Sequence, residues 1–443
     1  MTEKKYDLVI IGGGAAGMAA ADTAAEKGLK TALIEREDRL GGILNQCIHN
    51  GFGLQFFKEE LTGPEYAHRF LERITKHHEV ETFLGTTVMD VEIGDTKVVY
   101  GYSHKLGVIK IQTPAIILAM GSRERNRGNI GIPGSRPAGV FTAGLVQRLV
   151  NIEGYKPGES AVIIGSGDIG LIMARRLTWI GLKVKAVIEI QPYPSGLTRN
   201  IVQCLNDFDI PLYLSHVVSR IYGSDRVDGV DVTPIEEGKL NTEKTFKIEC
   251  DTILLSVGLI PENELSRKFG VAINPETGGA IVDAHLMTSV EGVFSCGNVL
   301  HIHDLVDYVT EEAISAANFA FQYLDKGFES EYTLTPGNIQ THIHPKTVVK
   351  AGIFETEPST NVKYVIPNKY NPTRENRFFM RSLIVKNNAK LVIKAGDTII
   401  KDKRLLHVQP SEMISVTLKP KDFKNYPGGL EKLADEKLEF LIL

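Results

Sequence analysis

Between Tyr6 and Arg36 the sequence commits to one local structure. Tyr6-Asp7-Leu8-Val9-Ile10-Ile11 is an apolar run with β-branched residues and predicts a buried strand. Gly12-Gly13-Gly14-Ala15-Ala16-Gly17 follows at once in the G-x-G-x-x-G spacing, and Met18 to Gly28 is Ala-rich and predicts a helix ended by Gly28. Leu29 to Ile34 predicts a second strand, ending on Glu35 and then Arg36. Gly12 allows the tight turn, Gly14 lets a pyrophosphate approach the backbone, and Gly17 lets the helix pack against the strand. The free N–H groups at the start of the helix, around Ala15 and Ala16, then face the phosphates. Glu35 lies 23 residues after Gly12, where a carboxylate accepts hydrogen bonds from a ribose. An ordinary tight turn would leave that terminal acid unexplained, so the stretch is read as a dinucleotide site.

The same unit recurs. Ser160 to Ile164 predicts a strand, Gly165-Ser166-Gly167-Asp168-Ile169-Gly170 the turn, and Leu171 to Trp179 a helix. Lys183 to Ile188 is the next strand, and it ends on Glu189. The first glycines are 153 residues apart, which suits a duplicated domain rather than a solenoid. A 2′-phosphate would call for Arg or Lys just past the strand. Ile190-Gln191-Pro192 stands there, so NAD(H) is expected over NADP(H).

At 443 residues the chain suits two or three domains, and 43% apolar with 23% charged residues is an ordinary globular balance. A net charge of −4 argues against nucleic-acid or anionic-membrane partners. No apolar run has the length of a membrane span, and the polar start Met1-Thr2-Glu3-Lys4-Lys5 does not read as a signal peptide. Cys47, Cys204, Cys250 and Cys296 are scattered without a C-x-x-C pair, which fits a reduced, cytoplasmic setting.

Leu54 to His77 is expected to be helical, interrupted near Gly63-Pro64. Glu79 to Gln112 alternates and predicts a small antiparallel layer. Ala115 to Ala119 is a buried strand leading to Gly121, and Arg125 to Pro137, rich in Gly, Pro and Arg, reads as a domain crossover. Val306 to Leu324 predicts a long helix. From Glu331 alanine becomes scarce and short alternating runs appear, which predicts a separate β-rich domain.

Four ordered signals now carry a resemblance. They are the first turn with Glu35, Ile116-Ile117-Leu118-Ala119-Met120-Gly121, the second turn with Glu189, and Thr288 to Asn298 ending in Cys296-Gly297-Asn298. Tyr6 to about Leu324 resembles the FAD/NAD-linked reductases of the glutathione reductase superfamily. The resemblance implies an α/β fold with two Rossmann-like dinucleotide-binding domains and a C-terminal β-rich domain. It implies FAD on Gly12, Gly14, Ala15, Ala16, Gly17, Glu35, Arg36, Gly41, Gly42, Gly121, Gly297 and Asn298, and NAD(H) on Gly165, Gly167, Asp168, Ile169, Gly170 and Glu189. The expected domains are 1–125 with 280–330 for FAD, 126–279 for NAD, and 331–443 as a β-rich interface domain. Two departures stand out. Disulfide-reducing members carry a cysteine pair two and seven positions after the double glycine, where this chain has Leu44 and His49. A dithiol relay needs a second thiolate, so disulfide reduction is not expected. Asn298 replaces the family's usual Asp; its side chain both accepts and donates.

Gly41 to Cys47, Gly121 to Arg125 and Cys296 to Asp307 look like the FAD-dependent subunits encoded beside bacterial glycerol-3-phosphate dehydrogenases. That group is related to the flavin subunits of opine oxidase, hydrogen cyanide synthase and sarcosine oxidase. The resemblance implies a substrate-oxidising flavoprotein partner, with room for a homo-oligomer and for a small iron–sulfur subunit. It also implies that the start of the Val306–Leu324 helix points its positive end at the flavin.

Two residues are candidates for catalysis. By position Cys47 is expected near the flavin, as a charge-transfer thiolate, a partner contact or a small buried residue. His49 is either a proton shuttle or a packing histidine. His301-x-His303-Asp304 and His342-x-His344 share the H-x-H spacing, but without adjacent cysteine they read as polar contacts around a cofactor or at a subunit interface, and no metal is expected. The expected function is an FAD-dependent, NAD(H)-linked subunit relaying electrons to or from a glycerol-3-phosphate-oxidising partner. The alternatives are a self-sufficient NADH oxidase or reductase, and a nucleotide-binding assembly scaffold without turnover.

Overall fold

The computed structural model describes residues 2–326, 333–335, 338–340, 354–427, 429–433 and 436–443, and His342-x-His344 lies outside them. The chain divides into two compact units. The first comprises Met1–Leu44, Gly51–Ser122 and Pro261–Leu443, the second Asn45–Asn50 and Arg123–Ile260.

The first unit is built on a five-stranded parallel sheet, in the order Val293–Ser295, Ala115–Leu118, Leu8–Ile11, Thr31–Ile34, Val80–Phe83. The three inner strands are buried along their whole length, as a sheet covered on both faces requires. Helix Ala15–Glu26 packs against helix Val306–Lys326, and the alanines of both lie in one core. A second layer pairs Thr86–Glu92, Lys97–Ser103 and Gly107–Thr113 antiparallel, with Thr2–Lys5 added in parallel at its edge. The sequence pattern assigned Val80–Phe83 to that layer. It joins the parallel sheet instead, because its backbone pairs with Thr31–Ile34.

Residues 54–60 are not helical, contrary to expectation. The helix spans Gly63–Ile74, and Gly63-Pro64 opens it rather than interrupting it. Thr62 caps it: the Thr62 hydroxyl accepts from Glu65 N–H, and the Glu65 carboxylate accepts from Thr62 N–H at 2.8 Å. Proline at a first helical position costs no hydrogen bond.

The second unit repeats the plan. Its parallel sheet runs Val140–Thr142, Thr252–Leu255, Ser160–Ile164, Lys183–Ile188, Leu212–Tyr213, and His216–Tyr222 and Gly229–Glu236 form an antiparallel layer. The chain rejoins the first unit at Pro261, earlier than residue 280. Asn263 explains this: its amide donates to Gly278 O and Val299 O at 3.0 and 2.8 Å, stitching 261–279 to the strand end at Gly297.

The fold is thus α/β, with two Rossmann-like units and a β-rich C-terminal region. That region has its own apolar core, in which Phe378 and Phe440 rings meet at 5.0 Å. Leu438–Ile442 is a central strand there, parallel to Phe354–Pro358 and antiparallel to Lys386–Ala395. Phe440 is fully buried, so Phe440→Ala is expected to cost about 3–5 kcal/mol. Hydrogen exchange over Lys386–Ala395 should accelerate by about 10²–10⁴-fold; unchanged protection would contradict this core.

Candidate functional site

Three of the expected motifs meet at the carboxyl ends of the first parallel sheet, where ligands of open α/β sheets bind. Gly12 has φ 106°, and a Cβ there would overlap the carbonyl of Ala119 at the adjoining strand end. A Cβ on Gly17 would overlap the carbonyl oxygen of Gly12. The turn is therefore backbone packed on backbone. Gly14 differs: a Cβ there would meet nothing within 4 Å, so its outer face is open. Gly41 N–H donates to Gly13 O at 2.9 Å, and a Cβ on Gly42 would come to 3.1 Å from Gly14 Cα, which seats the double glycine beside the turn. Gly121 has φ 72° and an equally open Cβ direction.

Glu35 is buried, and it is tied from below. Its Oε2 accepts from Gly13 N–H at 2.6 Å and its Oε1 from Glu37 N–H at 2.8 Å. A carboxylate offers about four acceptor sites, so two donors leave capacity for a ribose. Arg36 is exposed. Gly297 packs on Ala16, 2.9 Å from its Cβ by the same measure, so the last motif touches the start of the first helix. The Asn298 side-chain oxygen accepts from His303 N–H at 3.0 Å, which leaves the Asn298 amide as a donor.

His301 and His303 are inside this unit. Their Nε2 atoms lie 2.9 and 3.1 Å from the two Glu312 oxygens, and Gly297 N–H donates to Glu312 Oε2 at 2.6 Å. Both rings pack against Phe379 of the C-terminal region, His301 tilted and His303 edge-on. The subunit-interface reading of these histidines is thereby corrected: they are buried and face Glu312 and Phe379. Burial and then His303 push His301 down to about 4. Burial alone would raise Glu312, but His303 and His301 together hold its carboxyl well below the usual range.

The second turn reproduces the first. Gly165 has φ 93°, and a Cβ there would overlap Ser256 O; Gly170 packs on Ser256, whose hydroxyl accepts from Gly170 N–H at 3.1 Å. Glu189 Oε2 accepts from Ser166 N–H at 2.9 Å and Oε1 from Gln191 N–H at 2.9 Å, as Glu35 does with Gly13 and Glu37. Two further donors reach it, the hydroxyls of Ser166 at 2.6 Å and Ser195 at 3.1 Å. Asp168 opens the helix Asp168–Trp179 and accepts from Leu197 N–H at 2.8 Å and the Asn200 amide at 2.6 Å. Gly167 and Ile169 complete the turn.

Cys47 and His49 belong to the second unit, whereas chain order assigned them to the first. Hydrogen bonds decide it. The Gln46 amide donates to Gly144 O at 2.7 Å, and the Asn151 amide donates to Gln46 O at 2.9 Å. Cys47 S–H faces Gln147 Oε1 at 3.6 Å. Burial pushes the Cys47 thiol up to about 12, against a smaller opposing pull from Gln147, so it is a neutral thiol at physiological pH. Burial, then Arg175, lowers His49, which keeps its imidazole neutral.

A family model for pyridine nucleotide-disulphide oxidoreductases matches residues 6–320. The chain belongs to the pyridine nucleotide-disulphide oxidoreductase family. It is 30% identical over 304 residues to an NAD(P)H sulfur oxidoreductase (CoA-dependent) of Pyrococcus abyssi, covering 67% of this chain and 63% of that protein. It is 25% identical over 281 residues to one of the subunits of the opine oxidase of Agrobacterium tumefaciens, covering 60% and 54%. The chain thus spans under two thirds of either relative. Among solved structures, the thioredoxin reductase of T. acidophilum superposes with a TM-score of 0.60 at 23% identity, over 72% of this chain and 98% of that one.

The family uses FAD and NAD(P)H. This chain fits the first cofactor: the open face of Gly14, the helix start and the spare capacity of Glu35 form a cradle for a pyrophosphate and a ribose. The second turn fits a nucleotide by its glycines and helix start, with Glu189 more heavily engaged. Glu312, Phe379, Gln147 and Ser195 escaped the sequence reading. None sits in a recognisable spacing; each reaches its partner only through tertiary packing.

Two outcomes follow from this geometry. Gly14→Val should fold and melt as the FAD-free wild type does, because nothing crowds its Cβ, yet retain less than about a tenth of the FAD; full FAD content would refute the cradle. Cys47 in the native protein should react with iodoacetamide at pH 8 at least about 10²-fold more slowly than in the unfolded chain, and speed up only as pH nears its raised value. Peptide mapping by mass spectrometry reads this, and equal rates would contradict a buried thiol.

Proposed function

We propose that this FAD-dependent pyridine-nucleotide oxidoreductase is one subunit of a larger dehydrogenase. It exchanges electrons between NAD(H) and a substrate-oxidising flavoprotein partner, for which the resemblance favours glycerol 3-phosphate as substrate. One observation carries the reading. Leu44 and His49 stand where a redox cysteine pair would be, and the lone Cys47 is a buried neutral thiol. Electrons leaving the flavin therefore need an acceptor outside this chain's own thiols. That a relative is itself a named subunit of opine oxidase supports the same reading.

The chemistry of hydride exchange with nicotinamide and onward electron transfer is what FAD supplies when bound. This chain's residues bind and orient. Gly12, Gly14, Gly17 and Glu35 would hold the adenosine and pyrophosphate end, with Gly41, Gly42, Gly121, Gly297 and Asn298 along the same strand ends. Gly165, Gly167, Asp168, Ile169, Gly170 and Glu189 would hold NAD(H). Glu189, followed by Ile190-Gln191-Pro192, offers no cation to a 2′-phosphate. No described helix is long and apolar enough to cross a membrane. All four cysteines are unpaired, which supports a reducing, cytoplasmic setting. Self-association and a small iron–sulfur subunit remain compatible with this assembly.

The P. abyssi relative favours a second reading, a self-sufficient NADH oxidase or reductase. The assembly-scaffold alternative sits poorly with two intact glycine turns. Under anaerobic conditions NADH should bleach the flavin of the purified chain, and NADPH should do so at least about tenfold more slowly. A purified protein without FAD would overturn the reading, and a flavin that NADH leaves oxidised would favour the scaffold. Copurification from native cells separates the rest: a substrate-oxidising flavoprotein should accompany the chain, whereas a lone oligomer with full NADH turnover on small acceptors would establish the second reading.

A further inference from the structure

The side chains of the first H-x-H motif are not assigned to nucleotide binding, and they form the most concentrated ligand set among the described residues. His301, His303 and Glu312 each turn one donor atom inward, and those atoms lie within 4.8 Å of one another. All three side chains are essentially sealed from solvent. The rings sit 4.0 Å apart, tilted by 44°, with Phe379 against both.

We propose that His301 Nε2, His303 Nε2 and Glu312 together bind one divalent transition metal of the zinc type, as a structural clip. The distances suit this. Ligand bonds of about 2.0–2.2 Å place tetrahedral donor atoms about 3.3–3.5 Å apart. The two Nε2···O distances of 2.9 and 3.1 Å need to open by a few tenths of an ångström, and the widest donor pair, within 4.8 Å, needs to close. Two imidazoles and a carboxylate select borderline metals over Mg²⁺ or Ca²⁺, which favour all-oxygen sites.

Orientation and charge point the same way. The two Nε2 atoms converge on Glu312 while Phe379 packs against both rings, and together these order the imidazoles. The buried Glu312 carboxylate accepts from Gly297 N–H and faces both imidazoles, and a buried carboxylate calls for a positive partner. The guanidinium of Arg381 is engaged by Asp304 and by the carbonyls of Ile302 and Ser411. A dication held between the three side chains would supply that partner.

The clip ties two pieces of chain. His301 and His303 lie in the loop after Gly297-Asn298, Glu312 lies on the helix Val306–Lys326, and Gly297 N–H donates to Glu312 Oε2. Such a hydrogen bond to a ligating carboxylate is the usual outer-shell support. The ion would therefore fix the Gly297 turn and the start of that helix relative to each other.

The test uses the purified FAD-loaded protein, dialysed against a chelator and then incubated with Zn²⁺ or, separately, Co²⁺. Elemental analysis after removal of free metal should give about one metal per chain for the wild type and below about a tenth for His303→Ala at unchanged FAD content. X-ray absorption of the Zn²⁺ form should show nitrogen and oxygen neighbours only, with scattering from two imidazole rings. Less than about a tenth of a metal in the wild type after incubation overturns the proposal, as does full retention by His303→Ala. If that variant does not fold, the wild-type absorption spectrum decides: fewer than two imidazoles refutes the site. FAD content, read alongside the metal content, keeps a failure of this site distinguishable from a failure of the nucleotide reading.

Discussion

Backbone touching backbone at Gly12 is the constraint on which the first unit rests. The strand Leu8–Ile11, the strand Ala115–Leu118 and the helix Ala15–Glu26 all converge there, and a single added methyl at Gly12 or Gly17 would occupy the volume of a carbonyl group. Once the helix is seated this closely, alanine is the side chain that suits its inner faces. That accounts for the alanines shared with the helix Val306–Lys326. It also brings Gly297 onto Ala16, so a motif almost three hundred residues away arrives at the same strand ends. The site is a by-product of how tightly the sheet and its first helix must pack.

The two glycine turns show one hydrogen-bond plan used twice and then altered. Glu35 and Glu189 each take a backbone N–H from inside the turn and another from two residues downstream. Replacing Gly13 by Ser166 at the equivalent place adds a hydroxyl to the second carboxylate, and Ser195 adds another. The second acid therefore holds a wider stretch of its own loop. A dinucleotide arriving there competes with interactions the protein already makes, whereas at Glu35 it meets open capacity.

How much of this was legible in the sequence depended on range. The strand–turn–helix units were legible because glycine spacing and apolar runs are local, and Ser160–Ile164 and Lys183–Ile188 match their expected bounds. The opening at Gly63-Pro64 was misread because proline marks both helix breaks and helix starts, and only the Thr62–Glu65 pair distinguishes them. Val80–Phe83 was assigned to the wrong layer because alternation does not say which neighbour a strand will pair with. The placement of Cys47 and His49 turned on amides of Gln46 and Asn151, whose partners lie about a hundred residues away. Glu312 carried no signal at all: as one acid on a long amphipathic helix, it looks like part of a wet face.

The C-terminal region leans on the helix Val306–Lys326 through Arg377 with Glu311, and on the preceding loop through Arg381 with Asp304. Its own sheet is closed by Leu438–Ile442, which sits between two other strands rather than at an edge. During synthesis, the strands Phe354–Pro358 and Lys386–Ala395 must therefore wait, with one side unpaired, until Leu438–Ile442 has been made. The nucleotide turns at residues 12 and 165 are complete long before. Order of manufacture thus separates these parts of the chain: the cofactor cradles can form early, while the β-rich support beside the helix arrives later.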